Sequence, residues 1–201
     1  ISENLPRFDK FSLFGVHSVS YNEDGKKSYS LSAETIIHKN TAVGPFTISL
    51  VKEVEMRKVL IEVFQSNDSN HKGDDENILS FSPIQLIQNV ANNISMSEPV
   101  KRIMIKKLDI KTFQMKTQIN RISSGKVILD IASKKLTFIN GFFIVSKDKE
   151  KLLANKAEWV RDKELFLVPG HYFLVKNNDT RMKGKRAFFK IDKTGKLHKV
   201  Q

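Results

Sequence analysis

The chain has 201 residues, 40% of them hydrophobic, with only 9 Gly and 5 Pro; it can bury a sizeable core and is too apolar for a disordered chain. Its 34 Lys and Arg against 22 Asp and Glu give a net charge of +12, which favours an anionic partner, although lysines spread over strand faces and turns would give the same excess. With 0 Cys there is no disulfide framework, thiolate metal site or cysteine nucleophile, and no apolar run reaches the ~18 residues that would span a bilayer.

Strand patterns come first along the chain. Residues 11–20 are rich in Phe and Val, and a turn at Asn22-Glu23-Asp24-Gly25 supplies the positive-φ position that a hairpin needs before a second strand begins at Lys27. Residues 47–64 mix alternation with β-branched side chains and read as one or two strands. An insertion of loop and helix follows over about residues 65–99. Its first part is Ser/Asn/Asp/Gly-rich, and the acidic cluster there lacks the alternating ligands and distal Glu of a calcium loop. Its second part opens with Ser82-Pro83 and carries Ile84, Ile87, Val90, Ala91 and Ile94 at helical spacing, which predicts one amphipathic helix ending before Pro99. A stripe of this kind more often docks on a sheet or plugs a barrel end than binds a partner.

Residues 102–110 and 112–122 again alternate, with Phe113, Met115, Thr117, Ile119 and Arg121 on one side. Ser123-Ser124-Gly125-Lys126 reads as a turn, a further strand starts at Val127, and Asp192 to Gly195 forms another hairpin turn. The last third of the chain repeats itself. Residues 136–145 are echoed by 165–174, with Gly141 and Gly170 29 positions apart, and 152–159 are echoed by 182–189. A period near 30 marks a stacked supersecondary unit. Aligning the copies pairs Leu136 with Leu165, Phe138 with Leu167, Phe143 with Tyr172 and Val145 with Leu174; it also pairs Leu152 with Met182, Ala154 with Gly184, Ala157 with Ala187 and Trp159 with Phe189. The resulting apolar stripe is either the closed core of a sandwich or jelly roll, or the lining of an open grooved roll. Ala154, Ala157, Gly184 and Ala187 would leave room for a ligand or suit close backbone packing.

Enzyme constellations are hard to assemble. The five histidines show no metal-ligand spacing, and neither a phosphate loop nor a nucleophile elbow is present. An enzyme acting on envelope polysaccharide would need two carboxylates in a cleft, for which Asp130, Glu158, Asp162 and Asp192 are the residues to place. Nucleic-acid signatures are missing beyond the charge. The chain therefore reads as non-enzymatic, with no catalytic residue, metal or cofactor.

The order Leu152, Ala154, Ala157, Trp159, Asp162, Leu165, then Gly170 and an alternating strand, then Met182, Gly184, Ala187, Phe189 and Asp192 resembles the periplasmic lipopolysaccharide-transport proteins of the LptC and LptA/OstA family. The run from Tyr21 to Glu34 looks like the opening of the LptC version, so the likeness covers roughly residues 17–38 and 126–200. Residues 43–95 have no counterpart in a minimal roll of that family, and Gly44-Pro45-Phe46 leading to Val54 through Val59 is similar in flavour to AsmA-like lipid-transfer proteins.

The resemblance implies a mainly β protein, an antiparallel open β-jelly-roll (β-taco) with one inserted amphipathic helix, forming a single domain over residues 1–201. It implies residence in the periplasm, anchored to the inner membrane by an N-terminal segment absent from this chain. Phe138, Phe143, Leu152, Trp159, Leu167 and Leu174 would line a path for lipid acyl chains, and Lys156, Lys183 and Lys185 would form a phosphate-attracting rim. The implied partners are lipopolysaccharide or another anionic lipid, other β-roll transport proteins joined by edge-strand pairing, and an inner-membrane transporter, with no nucleic acid. The alternative is a structural or protein-interaction β-domain of the envelope with a closed core and no lipid.

Overall fold

The computed structural model describes residues 12–43, 46–65, 87, 100–176, 180–192 and 194–200. Within them lie ten strands: β1 (Ser12–Tyr21), β2 (Lys27–Val43), β3 (Phe46–Gln65), β4 (Val100–Gln114), β5 (Thr117–Asp130), β6 (Lys135–Val145), β7 (Lys151–Val160), β8 (Leu165–Lys176), β9 (Thr180–Ile191) and β10 (Leu197–Val200). They form one sheet whose strand order is the chain order. The protein is thus mainly β. Of the helix expected over residues 82–95, all but Ile87 lies outside the described residues, as does the acidic loop; Ile87 is helical and 1% exposed. No helix among the described residues is long and apolar enough to cross a membrane.

All neighbours pair antiparallel except β3 and β4, which run parallel from Lys52↔Val100 to Gln65↔Gln114. The expectation of a wholly antiparallel sheet is corrected here. A parallel pair needs a crossover of a dozen or more residues, and the insertion at residues 66–99 supplies that length.

Two hairpin turns fall where their Asp-Gly or Asp-x-x-Gly chemistry puts them. Asn22 N–H donates to Lys26 O at 2.8 Å with Gly25 at φ +72°, and Asp192 N–H donates to Lys196 O at 3.0 Å with Gly195 at φ +85°. The reversal between β4 and β5 is instead at Met115-Lys116, both left-handed at φ +48° and +67°. Ser123-Ser124-Gly125-Lys126, expected as a turn, runs through the middle of β5. Gly125 marks a strand irregularity there, the other common meaning of a glycine inside a strand.

That irregularity belongs to a line crossing nine strands. Buried positions within a regular strand are two apart, yet across this line they are three apart in β3 (Met56, Val59), β4 (Ile105, Leu108) and β5 (Ser124, Val127), and in β2 Thr35 and Ile36 are both buried beside the exposed Glu34. In β6 and β8 they are four apart, at Phe138 and Phe142 and at Val168 and Tyr172. The intervening residues face one another from strand to strand: Gly15 opposite Glu34, then Lys58, Lys107, Gly125, Asn140-Gly141, Asn155, Pro169-Gly170 and Arg186. Six of them have left-handed φ: Gly15, Lys58, Lys107, Asn140, Gly141 and Arg186. An extra residue bends the strand that carries it. Aligned across these nine strands, these residues crease the sheet along one line while keeping the same face inward on both sides. Ser124 Oγ lies 3.0 Å from the carbonyl oxygens of both Lys126 and Ile139, beside the crease, where its single O–H donates to one or the other.

The crease brings distant strand ends together. In a flat sheet the β9–β10 turn would lie roughly a full strand, about 35 Å, from the β6–β7 turn at 3.3 Å per residue. Instead, Lys147 N–H donates to Gly195 O at 3.0 Å, and Lys196 Nζ lies 3.5 Å from Asp148. The inner faces of both halves share one apolar cluster that takes in Leu31, Met56, Ile105, Phe138, Leu174 and Phe189.

Candidate functional site

The aromatic centre of this interior is built by β6, β7 and β8. Phe138 and Phe142 have ring centroids 5.1 Å apart, Phe142 and Phe166 5.2 Å, and Trp159 and Phe166 4.7 Å. Edge-on and tilted geometries of this kind add to the hydrophobic gain from burying the rings. Tyr172 meets Phe189 edge-on at 5.0 Å.

Four of the six residues expected to line a lipid path lie in this interior: Phe138 and Leu152 at 0% exposure, Leu174 at 2% and Trp159 at 7%. The other two do not. Phe143 and Leu167 are half-buried and alternate with inward neighbours, Phe142 and Ile144 in one case and Phe166 and Val168 in the other. They belong to the outer face, a correction with a simple origin. The glycines are 29 positions apart, but the strands repeat at 30, matching Leu136 to Phe166, Phe138 to Val168, Phe142 to Tyr172 and Ile144 to Leu174. An error of one residue reverses every side chain. The 30-residue offset was already present in the second half of the repeat, where Leu152 matches Met182 and Trp159 matches Phe189. Applied throughout, it would have identified Phe142, Phe166, Val168 and Tyr172.

The small residues of the interior are used for close packing. A Cβ on Gly184 would collide with the Tyr172 ring, which fills the space that glycine leaves. Polar groups in the interior are few. Trp159 Nε1, Thr112 Oγ1 and Asn120 Oδ1 are buried without a hydrogen-bond partner, and Thr112 and Asn120 are register partners.

The three expected rim lysines lie on outward positions of their strands. Lys156 Nζ is 2.7 Å from Glu158, which also receives Lys135 at 3.1 Å. These contacts, the Lys156 hydrogen bond first, hold the Glu158 carboxyl below its ordinary value against the opposing effect of partial burial. Lys183 Nζ sits 5.5 Å from the centroid of Phe173, and Lys185 is exposed opposite His171. Phe143, Leu153, Phe173 and Lys183 are successive register partners, so the outer face carries an apolar row ending in a cation.

The carboxylates considered for catalysis are bound locally. Asp130 accepts from Ser133 N–H at 2.8 Å and Ser133 Oγ at 2.7 Å, which lower its pKa. Asp192 is partly desolvated, which alone would raise its pKa. The hydrogen bonds from Thr194, His198 and the Lys196 N–H outweigh that and hold it well below the usual range. Asp162 lies in a single 3-10 turn, Arg161–Lys163. Among the described residues no three His, Cys, Asp or Glu side chains come together in a way that could hold a metal. No protein-family model matches the chain, and no curated protein matches it.

Proposed function

We propose that the chain is a non-enzymatic lipid-binding module of a cell envelope. It takes acyl chains of lipopolysaccharide or another anionic lipid between the two halves of its creased sheet, in the manner of a β-taco, and works in the periplasm near an inner-membrane transporter. The observation that carries this reading is the crease itself, which wraps one sheet around a continuous apolar interior. β10 pairs with only Phe188 to Ile191, so on that side the rest of β9 has no strand beside it among the described residues. Such edges suit strand addition by a neighbouring roll. Each acyl methylene transferred from water to the interior would contribute about 0.8 kcal/mol. The aromatic cluster around Phe138 and Phe166 would have to part for it.

A second reading has its own observation. Phe138, Leu152, Trp159 and Leu174 are covered by protein side chains, as in a closed structural or protein-interaction domain. Replacement of Phe138 or Trp159 by a photoreactive phenylalanine, with irradiation in the presence of lipopolysaccharide, separates the two. The lipid module crosslinks at Phe138 and Trp159 and not at Phe143 or Leu167 on the outer face. Equal labelling of all four positions, or none, favours the closed domain.

A further inference from the structure

On the outer face, where β3 to β6 meet the crease, the surface carries an open notch of about 470 Å³. Its floor comes from three successive rows of the sheet. The first is the crease, with Lys58, Lys107, Gly125 and Gly141. Next come the register partners Leu60, Asp109 and Ser123, and beyond them Lys111 opposite Arg121. These side chains alternate with the buried Ile61, Ile110 and Ile122, which fixes them on the face turned away from the apolar interior.

Two features give the notch its chemistry. The first is space: Gly125 and Gly141 leave the crease without side chains, and Gly125 lies so close to Asn140 O that no Cβ fits there. The second is charge, since four cations from three strands border a single carboxylate. That carboxylate, Asp109, accepts from Arg121 Nε at 2.7 Å and thereby orients the guanidinium, leaving its other donors unused by this bond. Lys58 reaches Glu34 at 3.0 Å on the rim. Glu62, beside Lys111 in the register, is engaged by Ser30 Oγ at 3.1 Å. Among the described residues neither Lys107 nor Lys111 has an ion-pair partner. Lys58 and Lys107 also hold left-handed backbones, at φ +48° and +60°, where glycine or asparagine is the ordinary choice. Lysine at both positions places ammonium groups at the notch against the local preference of the chain.

We propose that this notch binds a phosphate-bearing group, a mono- or diester. A guanidinium oriented by a carboxylate, with ammonium groups around it, is the arrangement that recognises phosphate, and an open notch of this kind admits the phosphate end of a larger molecule. The site lies on the opposite side of the sheet from the interior assigned to acyl chains, so it stands or fails independently of that reading.

The test uses the whole chain at low ionic strength with two probes: inorganic phosphate followed by calorimetry, and phosphatidylcholine vesicles with or without phosphatidic acid followed by co-sedimentation. A Lys107→Asn/Lys111→Gln variant, in which asparagine tolerates the left-handed backbone, is compared with Lys163→Gln/Lys190→Gln, which removes the same charge elsewhere. The notch variant should bind about tenfold more weakly, the loss expected for removing charged hydrogen-bond donors, while the control stays near the parent. Binding of both probes assigns the site to the phosphate group itself, and binding of the vesicles alone assigns it to a headgroup in a bilayer. Equal weakening in the two variants, or no binding of either probe, overturns the proposal.

Discussion

Gly125 shows how much one residue decides in this sheet. A methyl group there would press on the Asn140 carbonyl oxygen, a backbone atom that cannot swing aside. Gly125→Ala should therefore lower stability by about 1–3 kcal/mol, the usual range for overpacking, read as a fall in the urea midpoint. Gly184→Ala meets the Tyr172 ring instead, which can shift, so its loss should be the smaller of the two. Asp192 sets a pH dependence. Its folded-state pKa lies below the ordinary 3.8, so the folded state binds fewer protons than the unfolded one, and its contribution is full above 3.8 and lost progressively as the pH falls from there through the lower folded-state pKa. Urea titrations on the acid side of pH 4 should show a shallower decline in Asp192→Asn than in the parent, with the variant already weaker at neutral pH. The Asp192 to Gly195 turn was legible because Asp and Gly have a local geometric reason to be there. The half-buried outward positions of Phe143 and Leu167 were not, because a phenylalanine or leucine reads as core wherever it falls.

At the scale of elements, strand identity was legible and strand interruption was not. Phe and Val content marked β1, the Asn22 to Gly25 turn marked the start of β2, alternation marked β3 and most of β4, and the repeat marked the strands from β6 to β9. The crease was missed because its sequence signals are unequal. Gly15, Gly125, Gly141 and Gly170 mark it in four strands, but Lys58, Lys107 and Arg186 occupy the same line without any local sign. Only the register between neighbours shows that they are equivalent. Arg186 holds φ +50°, a conformation that costs a non-glycine residue about 1–2 kcal/mol. Arg186→Gly should thus gain up to about 1 kcal/mol once the greater backbone entropy of glycine in the unfolded chain is subtracted, visible as a higher thermal midpoint. A fall would mean that the guanidinium makes a contact worth more than the strain.

For the whole molecule, the parallel joint between β3 and β4 divides the sheet into a three-stranded and a seven-stranded part, each a simple meander. Strand patterns along the chain announced a β-rich protein, and the repeat announced stacking. Neither could announce the joint, because strand direction is set by where a long connection returns and leaves no periodic trace. The net charge of +12 is likewise only a total; the register is what gathers four of its cations around one notch.

The offset of 30 residues between β6–β7 and β8–β9 is also a unit of manufacture. A hairpin of that length carries its own share of the crease, its own inward side chains and its own turn at the closing end. A second copy of residues 136–165 inserted before Phe166 would align each of these features with its neighbours, and the copied Lys147 and Asp148 would stand where Gly195 and Lys196 now find the originals. The breadth of this protein is therefore a countable quantity that whole-hairpin duplication can change while its cross-section stays the same.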